Sequence, residues 1–171
     1  MTELSAGELR MLSWIQEGHL TNVELAEKLG MAPSPCLRRM KSLKERGYID
    51  RTVSILNRRK LGFEVLAQVG IKVQQQFSSR SVDEDFRRAV SREPSIIGCY
   101  MMTGEFDFVL WVVSPTIEAF SHYARTVLLR LPGIQDMRSS FVLDVAKEST
   151  ELPLESLRQP LRKGKARPAR A

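Results

Sequence analysis

The sequence predicts an α+β protein of two domains, and three observations carry that prediction. The stretch Thr21 to Arg46 (TNVELAEKLGMAPSPCLRRMKSLKER) holds two helix starts, a glycine between them and a burst of positive charge. At Leu61 the apolar period changes from about 3.6 to 2, and Phe63, Val65, Ala67, Val69, Ile71 and Val73 then occupy every odd position. The patterns that follow run β-α-β-β-α-β, the order of the split βαβ arrangement. The first observation reads as a winged helix-turn-helix domain over residues 1–56. Residues 57–61 form a linker, residues 62–147 a ferredoxin-like βαββαβ domain, and residues 148–171 an extension with a basic tail.

In chain order, Ser5 caps a first helix running to Glu17. Leu9, Leu12 and Ile15, with Met11 and Trp14 alongside, form its apolar face, and Gly18 ends it. Thr21 caps the second helix. Its hydroxyl suits an unpaired N–H of the first turn, and Glu24 three residues on completes a capping box. Val23, Leu25, Ala26 and Leu29 supply the inner face, and Gly30 fits the left-handed position that closes a helix. Ser34-Pro35 reads as the third start, an N-cap followed by proline at the first helical position. Leu37, Met40, Leu43 and Lys44 fall on one side of this helix, with Arg38 and Ser42 opposite. Gly47 breaks the helix. Tyr48-Ile49 and Arg51 to Ile55 then predict a small β-wing, and the polar Asn57 to Lys60 leads out of the domain.

The second half begins with the alternating strand from Phe63 to Val73. Ser81 to Glu93 is a helix with Val82, Phe86, Ala89 and Val90 inward, stopped by Pro94. Ile96 to Thr103 and Phe106 to Val113 are strands joined through Gly104-Glu105. The latter is apolar on both faces, which predicts a central position or a subunit interface. Thr116 caps a helix that turns Ile117, Phe120, Ala124, Val127 and Leu128 inward, Pro132-Gly133 stops it, and Met137 to Val145 is the last strand. Helices cover one sheet face. The simplest cover for the other is a second copy of the same sheet.

Composition narrows the function. With 171 residues and 43% hydrophobic content the chain can bury real cores. The net charge of +6 is uneven, for Arg38 to Lys60 alone carries nine basic residues against Glu45 and Asp50. Such a local excess suits a phosphate backbone, where each neutralised phosphate releases counterions. Cys36 and Cys99 are far apart with no histidine cluster nearby, so neither a metal site nor a disulfide framework is expected. No apolar run approaches membrane-spanning length and Met1 onwards lacks a leader's pattern, so a soluble cytoplasmic protein without cofactor is expected.

Roles on double-stranded DNA follow from position. Ser34 and Pro35 open the recognition helix, whose free first-turn N–H groups suit a phosphate. Arg38 and Ser42 point furthest outward and are the base-edge candidates, since arginine pairs bidentately with guanine. Arg39, Lys41 and Arg46 flank them as backbone contacts, and Arg51 with Arg58-Arg59-Lys60 tracks phosphates beside the wing. In the second domain, Thr103-Gly104-Glu105-Phe106-Asp107 is first a hairpin turn with Gly104 at positive φ. The same turn offers donors for a carboxylate (Thr103 and Gly104) and an acid for an ammonium (Asp107), as a free amino acid requires.

Residues 1 to about 154 resemble the Lrp/AsnC (feast/famine) transcription regulators. The resemblance lies in NVELAEKLG, PSPCLRRMKSLKERGYI, TGEFDFVL, LLRLPGIQDMRSSFVL and KESTELPL, in order across both halves, and the last two are closest to the leucine-responsive branch. Ser5 and Glu8 stand where the family usually has two aspartates, and His19 where an arginine is common. The resemblance implies an N-terminal DNA-binding helix-turn-helix. It also implies a ferredoxin-like half that senses small molecules, usually amino acids, and that makes a homodimer assembling to a tetramer or octamer. The effector pocket is implied at the turn and adjoining strands, with Tyr100, Met102 and Ser140 as wall residues beside Thr103, Gly104 and Asp107.

Siroheme decarboxylases share this two-domain layout, so layout alone leaves an enzyme reading open. The only histidines are His19 and His122, one in each half, and no nucleophile–base pair or phosphate-cradling glycine loop is present. No catalytic residue is assigned. Beyond Leu154 the chain is spaced by Pro160 and Pro168 and ends RKGKARPARA. Its last ten or so residues are expected to be disordered, with Leu152, Leu154 and Leu157 docking just before them.

Overall fold

The computed structural model describes residues 4–18, 20–74 and 80–158, with the backbone alone for residues 80–83. It divides into two units, residues 1–54 with 147–171 and residues 55–146.

In the first unit, α1 (Ala6–Glu17), α2 (Asn22–Lys28) and α3 (Pro33–Glu45) surround a core of Met11, Leu12, Leu25, Ala26, Cys36 and Leu43. Both expected capping boxes form. Ser5 Oγ accepts from Glu8 N–H while Glu8 Oε2 accepts from Ser5 N–H at 2.7 Å, and Thr21 and Glu24 repeat the arrangement. Gly30 (φ 63°) and Gly47 (φ 78°) each close a helix with paired backbone bonds. Met31 N–H donates to Ala26 C=O after α2, and Tyr48 N–H to Leu43 C=O after α3. Only glycine enters that left-handed conformation without a Cβ penalty.

The third helix begins earlier than Ser34. Its N-cap is Ala32, with no side-chain bond, which puts Pro33 and Pro35 inside the first turn on either side of Ser34. Neither proline costs a hydrogen bond there, because first-turn N–H groups lack intrahelical acceptors. Cys36 is fully buried and takes the inner position expected of Leu37, which is exposed. Residues 51–56 form no strand, so the wing is not built as a β-ladder. The segment from Tyr48 to Leu56 contains no glycine, proline or asparagine to turn a two-stranded ribbon. At the linker, Asn57 Oδ1 accepts from Lys60 N–H and Phe63 N–H donates to Arg58 C=O, forming one tight turn.

The second unit holds β1 (Val65–Val73), α4 (Arg80–Ser91), β2 (Ile96–Met101), β3 (Phe108–Ser114), α5 (Ile117–Thr126) and β4 (Ile134–Phe141). The sheet order is β2-β3-β1-β4 and every pairing is antiparallel, so β3 is central as its double apolarity requires. Ala67, Val69 and Ile71 of β1 and Leu110 and Val112 of β3 are buried under Phe86, Val90, Phe120, Ala124 and Leu128. Phe86 and Phe108 stack with ring centroids 4.6 Å apart.

Several expected bounds shift. Leu61 and Phe63 precede β1 and are exposed, Phe106 lies outside β3, and β2 stops at Met101. The last strand starts at Ile134 and ends at Phe141 instead of running from Met137 to Val145, because its pairing with β1 ends at Ala67–Phe141. Ile117 is exposed, since as the first residue of α5 it precedes the turn that meets the sheet. α5 stops at Thr126 and a 3₁₀ turn, Leu128–Arg130, carries Leu128 into the core. His19, the side chain of Val82 and the final residues of the tail lie outside the described residues.

On the sheet face away from the helices, Gly70 is paired with Arg138 and Val109 in the neighbouring strands. A Cβ at Gly70 would meet the Phe106 ring at 2.7 Å, so the ring lies directly on the bare backbone.

Candidate nucleic-acid interface and effector turn

The residues of α3 sort by azimuth. Cys36, Met40 and Leu43 face the core, and at about 100° per residue Ser34, Arg38, Lys41 and Glu45 lie opposite with Ser42 beside them. All five are exposed. Asn22 Nδ2 donates to Pro33 C=O at 3.0 Å, which fixes the start of α3 against the start of α2. With prolines at the first and third helical positions, Ser34 has the one free N–H among the first three helical residues.

The basic side chains are not equivalent. Arg38 has no hydrogen-bond or ion-pair partner among the described residues. Lys41 lies 3.8 Å from Glu45 and Arg51 3.8 Å from Asp50, both loose, solvated pairs. Arg39 extends toward α1, its Nη1 3.6 Å from the position a Cβ would take at Gly7. Arg46 is committed within the unit. Its guanidinium pairs with Glu8 Oε1 and lies 4.8 Å from the centre of the Tyr48 ring. Glu8 thereby joins the capping box of α1 to the end of α3. The Ser5 N–H and hydroxyl, then Arg46, hold its carboxyl down at about 2. Arg58 donates to the carbonyls of Phe63 and Glu64 at 3.0 and 3.1 Å, so it braces its own turn and is not free to track phosphates. Burial pushes the Cys36 thiol up, as suits a core residue and not a reactive one.

The turn between β2 and β3 closes on itself. Met102 N–H donates to Asp107 C=O, Asp107 N–H to Ile71 C=O, and Val73 N–H to Asp107 Oδ2, the last two at 2.9 Å. Asp107 therefore caps the bulge in β1 with one carboxylate oxygen. Gly104 has φ 118°, and Tyr100, Met102 and Thr103 are exposed around it. Arg138 pairs with Glu105 at 2.7 Å and lies 5.9 Å from the centre of the Phe106 ring that covers Gly70. The structure brings Tyr100, Met102, Thr103, Gly104 and Asp107 to one region. Ser140 stands apart on β4, opposite Gln68 and three ladder spacings from β2, about 14 Å.

Three ties were not legible in the sequence. Glu8–Arg46, Glu105–Arg138 and Gln16–Leu152 join residues 38, 33 and 136 positions apart, and no local pattern announces such pairs.

Comparison with known proteins assigns both units. Residues 66–152 match the Lrp/AsnC ligand binding domain, about half of the chain, and residues 9–50 match the winged helix-turn-helix DNA-binding domain. The chain belongs to the Lrp/AsnC family. Among Lrp/AsnC relatives, the leucine-responsive regulatory proteins of Escherichia coli (strain K12) and Salmonella typhimurium are 32% identical over 141 residues, 82% of this chain and 85% of theirs. A transcriptional regulator of Neisseria meningitidis, solved as an L-Met complex, is 35% identical with a TM-score of 0.85, covering 91% of this chain and 99% of that one. An AsnC family transcriptional regulator from Agrobacterium tumefaciens is 30% identical with a TM-score of 0.82, over 90% and 99%. The family is one of transcriptional regulators, and this chain carries both its DNA-binding and its ligand-binding domain. No described helix is long and apolar enough to cross a membrane.

Proposed function

We propose that this Lrp/AsnC protein is a cytoplasmic, non-catalytic regulator that reads double-stranded DNA through the exposed face of α3 and is switched by a free amino acid. Residues 1–56 act as the DNA-binding domain and residues 62–147 as the sensing and assembly domain, joined by 57–61. Arg38 and Ser42 contact base edges. Ser34, Pro35, Arg39, Lys41 and Arg51 face the sugar–phosphate backbone, and Arg46 reaches it only at the expense of its tie to Glu8. The observation that carries this reading is Arg38, exposed and without an intramolecular partner at the outward azimuth of a helix whose other face is core.

The effector reading rests on the turn from Tyr100 to Asp107. Thr103 and the Gly104 N–H provide donors for a carboxylate, and the Asp107 oxygen not bonded to Val73 accepts from an ammonium. Tyr100 and Met102 form an apolar wall. Ser140, on the far edge strand, joins such a pocket only when a second subunit brings its own β4 alongside. The L-Met bound by the Neisseria relative makes an amino acid the class of ligand to test first.

A dimer formed through the sheet face opposite the helices would cover the half-buried Trp111 and Val113 and lead on to a tetramer or octamer. Light scattering of the full chain is expected to give at least twice the protomer mass of 19.5 kDa, and a monomer at micromolar concentration would refute the assembly. Titration calorimetry with free amino acids is expected to show binding of at least one. Heat from none of them at millimolar concentration refutes the sensing role. A genome-wide map of bound DNA tests the regulator reading, which requires discrete sites upstream of genes.

A further inference from the structure

The chain after Ala146 belongs to the DNA-binding unit by its contacts. Gln16, half-buried near the end of α1, grips Leu152 at two points. Its Nε2 donates to Leu152 C=O at 2.8 Å, and Leu152 N–H donates to its Oε1 at 3.0 Å, the exchange a neighbouring strand would make. Leu154 then packs against the three-helix core, and residues Leu154–Arg158 form a short 3₁₀ turn pinned by Ser156 on Pro153 C=O. Leu152 and Leu157 are exposed, so the grip consists of one amide and one leucine, not of the three leucines the sequence offers.

Beyond this anchor lie 13 residues of strongly biased charge. Arg162, Lys163, Lys165, Arg167 and Arg170 are basic, and no acidic residue follows Glu155. The match to the ligand binding domain ends at residue 152, so this segment is an addition to the matched parts. We propose that residues 151–158 root a basic arm, residues 159–171, on the DNA-binding unit. The arm makes a second, sequence-independent contact with the phosphate backbone of the duplex held by α3. The proposal rests on α3 being the DNA-binding element.

Charge, reach and tethering support it. The arm carries the same sign as Arg38 to Lys60, so it is repelled by that face and seeks a polyanion. A flexible chain of this length has a root-mean-square span of about 20 Å and a limit of about 45 Å. The 13-residue α3 is about 20 Å long, so an arm rooted on α1 reaches phosphates flanking any duplex that lies along α3. A short tether gives an effective concentration on the order of millimolar, enough to recruit contacts that are individually weak.

The test compares the full chain with a truncation after Gln159, with the charge-neutral R162Q/K163Q/K165Q/R167Q/R170Q chain and with Q16A. Each is titrated onto a selected site and onto a random 40-bp duplex, by fluorescence anisotropy between about 0.05 and 0.3 M salt. Five phosphate contacts would account for a slope of log K against log salt of about 4.5 per chain. The truncated and neutral chains are expected to lose about 2–4 of that slope and about 10–100-fold in affinity at 0.1 M salt, equally on both duplexes. Q16A keeps the slope and loses affinity a few-fold, because unrooting lengthens the tether. Unchanged slope in the truncated chain overturns the arm alone, and Q16A behaving as the unaltered chain overturns its rooting. Arm-dependent binding to phosphatidylserine vesicles with no change in DNA slope assigns the arm to a membrane and also overturns the proposal. A full chain that binds neither duplex overturns the arm and the reading of α3 together.

Discussion

The tie between Glu8 and Arg46 makes a quantitative claim about the DNA-binding unit. Glu8 caps α1 through Ser5 and holds the end of α3 through Arg46, with the two side chains 19% and 30% exposed. Losing the cap costs about 0.5–2 kcal/mol, and a hydrogen bond to a charged group is worth about 1.5–3 kcal/mol when shielded. Partial exposure lowers the pair term, so a double-mutant cycle of Glu8→Ala and Arg46→Ala should show coupling of about 1 kcal/mol. The assay is urea unfolding followed by the fluorescence of Trp14. Its pH dependence follows from the direction of the Glu8 shift. A carboxylate held at about 2 when folded, against 4.5 in the unfolded chain, contributes stability that is complete above about 4.5 and is lost as pH falls toward 2. The coupling should therefore persist at pH 5 and vanish near pH 2. Mutants that are additive to within about 0.3 kcal/mol at neutral pH would show that no functional tie exists.

Other outcomes follow from single contacts. Gly70→Ala puts a methyl into the Phe106 ring and should cost about 1–3 kcal/mol in thermal unfolding, largely recovered when Phe106→Ala is added. If the second change rescues nothing, the ring is not what excludes the methyl. Cys36, fully buried and with its thiol pushed up, should resist iodoacetamide at pH 8 until the first unit unfolds, and reaction in the native chain would contradict its place in the core.

Where one residue's own chemistry or a regular period fixes the structure, the sequence was readable. Thr21 with Glu24, Gly30 and Gly47 announce helix ends locally, and the odd-position apolar run in β1 exposes its buried face. Errors arose where neighbours decide. Three prolines and serines in a row around Ser34 allowed two helix starts, and packing of Cys36 selected the earlier one. The ends of β4 depend on where β1 offers a partner, which its own residues do not encode. Asp107 was readable as an acid on a turn but not as the acceptor for Val73 N–H, a bond made only once the β1 bulge exists. Long-range pairs such as Glu8–Arg46 and Gln16–Leu152 escape any local pattern.

The claim that α3 reads bases is tested most directly by one ratio, the affinity for a selected site over that for a random duplex, measured for the unaltered chain and for Arg38→Ala at the same salt. Arg38 has no structural partner to lose among the described residues, so the substitution should leave thermal stability unchanged. The ratio should fall by about 5–150-fold, the equivalent of about 1–3 kcal/mol for one bidentate base contact, with random-duplex affinity lowered far less. Equal loss on both duplexes would make Arg38 a phosphate contact and contradict the account.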